Sequence, residues 1–122
     1  MSIKRQKIGK YGESAATEFL KQNGYTIIER NYRCKLGEID IIALDKETIA
    51  FIEVRVKKTY KFGHPKATIT PKKMRKISLT ALYYLKINNK LNNKARFDVV
   101  AISLFEPENK IELIKNAFNL KY

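Results

Sequence analysis

Two strand-length apolar runs each carry one acid at a position where folding gains nothing from it. Asp40 interrupts Ile39-Asp40-Ile41-Ile42, and Glu53 interrupts Phe51-Ile52-Glu53-Val54-Arg55-Val56. Burying a carboxylate costs roughly several kcal/mol unless a cation or hydrogen bonds answer it. A fold for this chain must therefore bury both runs and still give both carboxylates a partner. A long basic stretch follows at once, a combination that suits a metal site beside a polyanion.

The basic stretch is sharply bounded. From Val54 to Phe97 there is no Asp or Glu, and that segment holds 13 of the 25 Lys and Arg residues. The other 12 Lys and Arg face 12 Asp and Glu, so the net charge of +13 belongs entirely to this segment. Charge clustered in this way fits phosphate neutralisation on one face better than simple solubility. No strongly amphipathic basic helix with large exposed apolar residues accompanies it, so a membrane surface is not the expected partner. The single cysteine, Cys34, excludes an internal disulfide and a thiolate metal cluster. The start of the chain is basic and leads into no apolar signal core, and no apolar run is long enough to span a bilayer. A cytoplasmic, reducing location is expected.

The chain, residues 1–122, reads as a single domain. Gly9 to Asn23 has helical spacing, with Ala16, Phe19 and Leu20 on one stripe and Gly24 as a stop. Tyr25 to Arg33, Glu38 to Leu44 and Thr48 to Lys58 read as strands, and Tyr60 to Ile69 as a loop broken by Gly63 and Pro65. Thr70-Pro71 supplies an N-cap and a first-turn proline for a helix reaching about Ile87, with Met74, Ile77, Ala81 and Leu85 inward. Phe97 to Phe105 and Lys110 to Ala117 complete the order α-β-β-β-α-β-β. The fold class expected is α/β: a single mixed sheet flanked by helices.

Side chains alternate across a strand, so Asp40 shares a face with Ile42 and Leu44, and Glu53 with Phe51, Arg55 and Lys57. Ile39, Ile41, Ala43, Ala50, Ile52, Val54 and Val56 fall on the opposite, wholly apolar face. If Lys46-Glu47 forms a two-residue loop, Asp40 lies opposite Glu53; an odd loop or a bulge would separate the acids. Two facing carboxylates repel, and Mg²⁺ or Mn²⁺, which prefer oxygen ligands and water, would remove that repulsion. The alternative is a structural cluster in which both acids pair with Arg55 or Lys57. Glu13, at the edge of the helical stripe, is either a third member of the site or a solvated surface acid. Glu38 is a candidate outer ligand, and Asp98 more readily an anchor for Arg96.

Several of these residues carry a resemblance. Gly12-Glu13-x-x-Ala16, Gly37-Glu38-Ile39-Asp40, Phe51-Ile52-Glu53-Val54-Arg55, Phe62-Gly63, Ile69-Thr70-Pro71-x-Lys73 and Arg96-Phe97-Asp98-Val99-Val100 resemble, in order and spacing, the bacterial YraN-like family. That family is an uncharacterised branch of the restriction-endonuclease-like, PD-(D/E)XK nuclease superfamily, and the chain is more distantly similar to archaeal Holliday-junction resolvases. The resemblance implies a restriction-endonuclease-like core, with Asp40 and Glu53 as metal ligands and Glu13, Asp40, Glu53 and Arg55 as catalytic residues. Arg55 stands where the superfamily usually has a lysine. Arginine clamps phosphate well but does not give up its proton, and Lys57 is the nearby lysine that could supply what Arg55 lacks.

The function expected is nucleic-acid binding with metal-dependent phosphodiester hydrolysis, on DNA more readily than RNA. Arg55, Lys57, Lys58, Lys61, His64, Lys66, Lys72, Lys73, Arg75 and Lys76 would contact the nucleic acid. Tyr83 and Tyr84 either stack on bases or pack in the core. The alternatives are an inactive nucleic-acid-binding module that keeps the nuclease fold, and a protein-interaction role on a ribonucleoprotein. A homodimer is expected by analogy with the resolvases alone.

Overall fold

Capping, turn chemistry and the apolar pattern fix where each element begins and ends. The computed structural model describes residues 3–57, 69–104 and 109–120, with side chains from Gly9 onward. Helix α1 spans Ile3–Gln22, followed by β1 (Thr26–Cys34), β2 (Gly37–Asp45) and β3 (Thr48–Lys57). Helix α2 (Pro71–Ile87), β4 (Ala95–Leu104) and β5 (Asn109–Phe118) complete the order. This is the α-β-β-β-α-β-β arrangement that the pattern predicts.

Helix α1 begins six residues before the predicted start, because one interior glycine, Gly9, lowers helix stability by only about 1 kcal/mol and does not terminate it. It ends where Gly24 takes φ 88°, with the Asn23 side chain donating to the Phe19 carbonyl. At the start of α2 the Thr70 hydroxyl accepts from the Lys73 backbone N–H at 3.2 Å, and Pro71 occupies the first turn.

The sheet order is β1-β2-β3-β4-β5. The β2–β3 hairpin turns through Lys46-Glu47, with Lys46 at φ 55°, and pairs Asp45 with Thr48, Leu44 with Ile49 and Ile42 with Phe51. Strand β4 returns parallel to β3, from Ile49–Ala95 to Lys57–Ser103, and β5 closes the sheet antiparallel. A parallel neighbour requires a long crossover, which contains α2.

Each face of the sheet is covered by one helix. Ile77, Ala81, Tyr84 and Leu85 of α2 pack on Ile42, Ile49, Phe51 and Phe97. Ala16 and Leu20 of α1 pack on Ile41, Ala43, Ala50, Ile52, Val100 and Ile102. Ile39 departs from simple alternation: it joins the α2-side cluster with Ile42 rather than the α1 side with Ile41. The interruption falls at Asp40. Its position along β2 lies between the paired steps Arg30–Ile41 and Tyr32–Ile39, and Asn31 between the same steps has φ 55°.

Candidate functional site

The β2–β3 ladder stops at Ile41–Ile52, one step short of the two acids. Beyond that step β2 stays bonded to β1 as far as Gly37, and β3 stays bonded to β4 as far as Lys57. The sheet therefore forks between its central strands, and Asp40 and Glu53 stand at the fork. Asp40 Oδ2 accepts from the Val54 backbone N–H at 2.8 Å, so a side chain satisfies a main-chain donor that the ladder leaves without a carbonyl. Glu53 is 6% exposed. Its Oε1 lies 3.2 Å from Lys73 Nζ and 3.9 Å from Arg55 Nη1.

The electrostatics record how close these groups are. Burial, followed by the charge of Glu53, pushes the Asp40 carboxyl up to about 7. The Val54 N–H and the charge of Lys73 pull the other way, and Glu13 adds to the rise. Glu53 and, more weakly, Glu13 thus both act on Asp40. Among the described residues, no three His, Cys, Asp or Glu side chains are gathered closely enough to hold a metal ion between them. The fitting donor set is the Asp40–Glu53 pair with solvent: hard oxygen ligands whose mutual repulsion one divalent cation would relieve.

Glu13 reaches the fork because α1 approaches β3 unusually closely. A Cβ on Gly12 would lie 2.6 Å from Val56 Cγ2, so only glycine admits this contact. The neighbouring Glu13 carboxylate lies 3.8 Å from Arg30 Nη2 of β1. Arg30 is a partner that sequence reasoning did not anticipate; it follows from the position of β1 as the edge strand beside β2.

On the α2 side, a cleft of about 330 Å³ is lined by Gly37 and Glu38 at the start of β2, by the cap residue Thr70 and by Lys72, Lys73, Lys76 and Ile77 of α2. Gly37, at φ 154°, lets α2 sit close: a Cβ there would meet Thr80 Oγ1 at 2.9 Å. Three lysines thus share a concavity with the N-terminal turn of a helix, whose free N–H groups and dipole favour anions. Lys73 belongs both to this cleft and to the ion pair with Glu53.

The remaining candidates are distributed as follows. Arg55 and Lys57 lie on β3 past the fork, beside Ala101 and Ser103 of β4. Arg75 is exposed and is not among the residues lining the cleft. Lys58, Lys61, His64 and Lys66 lie outside the described residues, as do Phe62-Gly63 and most of the Tyr60–Ile69 loop. Glu38 turns to Arg33 across the β1–β2 pair at 3.1 Å and sits on the cleft rim rather than with Asp40. Tyr84 is a core residue, edge-on to Tyr32 and Phe51, whereas Tyr83 is exposed.

Asp98 is fully buried and serves a separate, structural network. It accepts from Tyr25 Oη at 2.8 Å, from Arg96 Nε at 2.9 Å and from the Asn116 N–H at 2.9 Å. Arg96 Nη2 also donates to Asp45 at the hairpin tip, where Lys115 joins at 3.2 Å. Burial and the adjacent Asp98 raise the Tyr25 hydroxyl far above its ordinary range, so it remains a donor. The network ties β2, β4 and β5 to the end of α1 and explains the acid beside an apolar run at Phe97-Asp98-Val99. Cys34 is free and partly exposed at the end of β1.

The fold and site define an α/β protein with one mixed sheet, an acid pair at a fork between its central strands and a lysine-lined cleft alongside. The chain belongs to the uncharacterised protein family UPF0102, whose model matches residues 12–102. It is 51% identical over 119 residues to a UPF0102 protein of Desulfosudis oleivorans, covering 98% of this chain and 95% of that one. A UPF0102 protein of Geobacter metallireducens is 43% identical over 122 residues, the full length of both chains. One from Clostridium botulinum is 47% identical over 117 residues, covering 93% of this chain and 94% of the relative. Among the described residues, no helix is long and apolar enough to cross a membrane.

Proposed function

We propose that this protein binds nucleic acid and hydrolyses phosphodiester bonds in a metal-dependent, endonuclease-like manner, on DNA in preference to RNA, as in the PD-(D/E)XK nucleases. The observation that carries the proposal is the acid pair at the fork. Asp40 is held near neutrality, at about 7, by burial and by the buried Glu53. A chain gains no stability from that arrangement, and a Mg²⁺ or Mn²⁺ ion would convert it into a favourable one. Such an ion, when bound, supplies a water of lowered pKa and polarises the phosphate.

The chain's own residues account for the rest. Asp40 and Glu53 would hold the ion. Arg55, 3.9 Å from Glu53, would clamp the non-bridging oxygens of the scissile phosphate. Glu13, 3.8 Å from Arg30 and close enough for its charge to act on Asp40, would be the third acid of the site and would orient or accept a proton from water. Lys72, Lys73 and Lys76 would hold the neighbouring backbone phosphates in the cleft.

A second reading, a binding module without turnover, is favoured by one observation. Arg55 stands two residues after Glu53 on β3, where a proton-transferring lysine would serve, and an arginine does not release its proton. Incubating the protein with branched, flapped and linear DNA and RNA, with Mg²⁺ or Mn²⁺, separates the two. Cleavage lost in Asp40→Asn and Glu53→Gln supports the enzyme. Salt-sensitive binding with no cleavage of any substrate supports the module, and absence of binding removes both.

A further inference from the structure

A divalent ion arriving at Asp40 and Glu53 meets a cation already in place. Lys73 Nζ lies 3.2 Å from Glu53 Oε1, closer than Arg55 at 3.9 Å, and Glu53 is almost wholly buried. The two cations are held differently. Arg55 extends from the central strand β3, and its side chain is 25% exposed. Lys73 comes from the first turn of α2 on a long flexible stem, and its side chain is 45% exposed. Its backbone is pinned by the Thr70 cap, so the ammonium can move while its root stays fixed. The same side chain lines the cleft beside Lys72, Lys76 and Thr70.

We infer that Lys73 is an exchangeable counter-ion: it neutralises Glu53 until a divalent cation takes the two carboxylates, and it is then released to a phosphate in the cleft. The inference rests on the metal-dependent reading above and deepens it, because it makes ion binding and polyanion binding cooperative. An ammonium and a divalent cation on one carboxylate repel each other, so the arriving ion weakens the lysine's hold on Glu53. The phosphate gains the lysine that Glu53 gives up. Thermodynamic linkage requires the reverse as well: a phosphate that draws Lys73 away raises the affinity of the acid pair for the ion.

The test is calorimetric titration of Mn²⁺ into wild type, Lys73→Gln, Lys73→Arg and Glu53→Gln, each checked for folding by circular dichroism. Alongside it, binding of a short DNA duplex is followed by fluorescence anisotropy, with EDTA and with Ca²⁺. Lys73→Gln is expected to bind Mn²⁺ about fivefold tighter, the effect of removing one partly exposed competing ion pair. Lys73→Arg is expected to stay near wild type. In EDTA the duplex should bind Lys73→Gln more weakly than wild type by the loss of one cleft charge; with Ca²⁺ the wild type should gain affinity and the variant should gain less, so that the gap between them widens. Mn²⁺ affinity unchanged or weakened in Lys73→Gln, or duplex affinity lost equally with and without Ca²⁺, overturns the inference but leaves the two-carboxylate centre standing. If neither wild type nor Lys73→Gln binds Mn²⁺ in a manner that Glu53→Gln abolishes, the metal-dependent reading falls with it.

Discussion

Replacing Asp40 with asparagine should stabilise the metal-free protein at alkaline pH while removing a proposed metal ligand. In the folded chain the Asp40 carboxyl titrates at about 7, against 3.8 for an unperturbed aspartate. Between those two values the folded state carries a proton that the unfolded state has lost, so stability falls as pH rises across that window and levels off above it. The difference amounts to about 4 kcal/mol once Asp40 is ionised in both states, at 1.36 kcal/mol per pH unit. The substituted amide would be neutral at every pH and would keep an oxygen to accept from the Val54 N–H at the fork. Its amide protons would find an acceptor in Glu53, whose charge is one of the causes of the Asp40 rise.

The assay is urea unfolding of wild type and Asp40→Asn at a series of pH values in EDTA, repeated with Mg²⁺. At pH 5 the variant should already lead by about 1–2 kcal/mol, because the unfolded aspartate is ionised there while the folded carboxyl still holds its proton. By pH 8 that lead should grow by about 2–3 kcal/mol more, to the full linkage value of about 4 kcal/mol. Subtracting one curve from the other cancels whatever His64, the single histidine, contributes to both. Mg²⁺ should restore stability to the wild type above pH 7 and leave the variant unchanged, because a ligand that binds only the folded state adds to its stability. A wild-type curve that is flat or rises from pH 5 to 8 in EDTA would refute the reasoning, as would a variant equally destabilised at both ends. Either result would mean that the carboxylate at the fork is fully solvated or already neutralised by Lys73.

Three further outcomes follow from the geometry. Asp98→Ala strips the largely buried Arg96 of its main partner and should cost about 3–5 kcal/mol in denaturant unfolding, whereas Tyr25→Phe removes one donor and should cost about 1–2. Gly12→Ala gains helix propensity but puts a methyl 2.6 Å from Val56 Cγ2, so thermal unfolding should show a net loss of about 1–2 kcal/mol, largely rescued by Val56→Ala. Replacing Lys72 and Lys76 together by Gln should lower the slope of log affinity against log salt for a DNA duplex by about 2, equally for all sequences; an unchanged slope would remove the cleft from the interface.

The sequence pattern placed Asp40 and Glu53 at neighbouring positions of the hairpin but did not foresee that its ladder ends there. The acids were legible because a carboxylate within an apolar run demands a partner, and because a two-residue loop at Lys46-Glu47 sets the register. Alternation failed at Asp40 itself, where Ile39 packs on the side that simple parity assigns to its neighbours. Alternation assumes an unbroken ladder, and the ladder ends where the carboxylate takes over a main-chain donor. Parity of this kind is therefore least dependable at a site, since a site is where regular pairing gives way to side-chain chemistry.

Lys73 was legible as a basic residue on a well-capped helix, but not as the partner of Glu53. The Thr70-Pro71 cap fixes the helix start, yet the distance of each helix from the sheet depends on a close approach of its own. Gly37 meets α2 at Thr80, and Gly12 brings α1 against the other face at Val56. Both glycines lie next to an acid, at Gly12-Glu13 and Gly37-Glu38, and each lets a helix approach the central strands more closely than a Cβ would allow. Lost side-chain packing and looser backbone at these positions weaken the fold locally. What they bring to one point is Glu13 from above the sheet and Lys73 from below it, on either side of a fork where the β2–β3 ladder has ended. A chain shaped for stability alone would fill those positions with side chains and seat its helices further out. Gly12 and Gly37 therefore set how closely the helices that carry Glu13 and Lys73 approach the sheet.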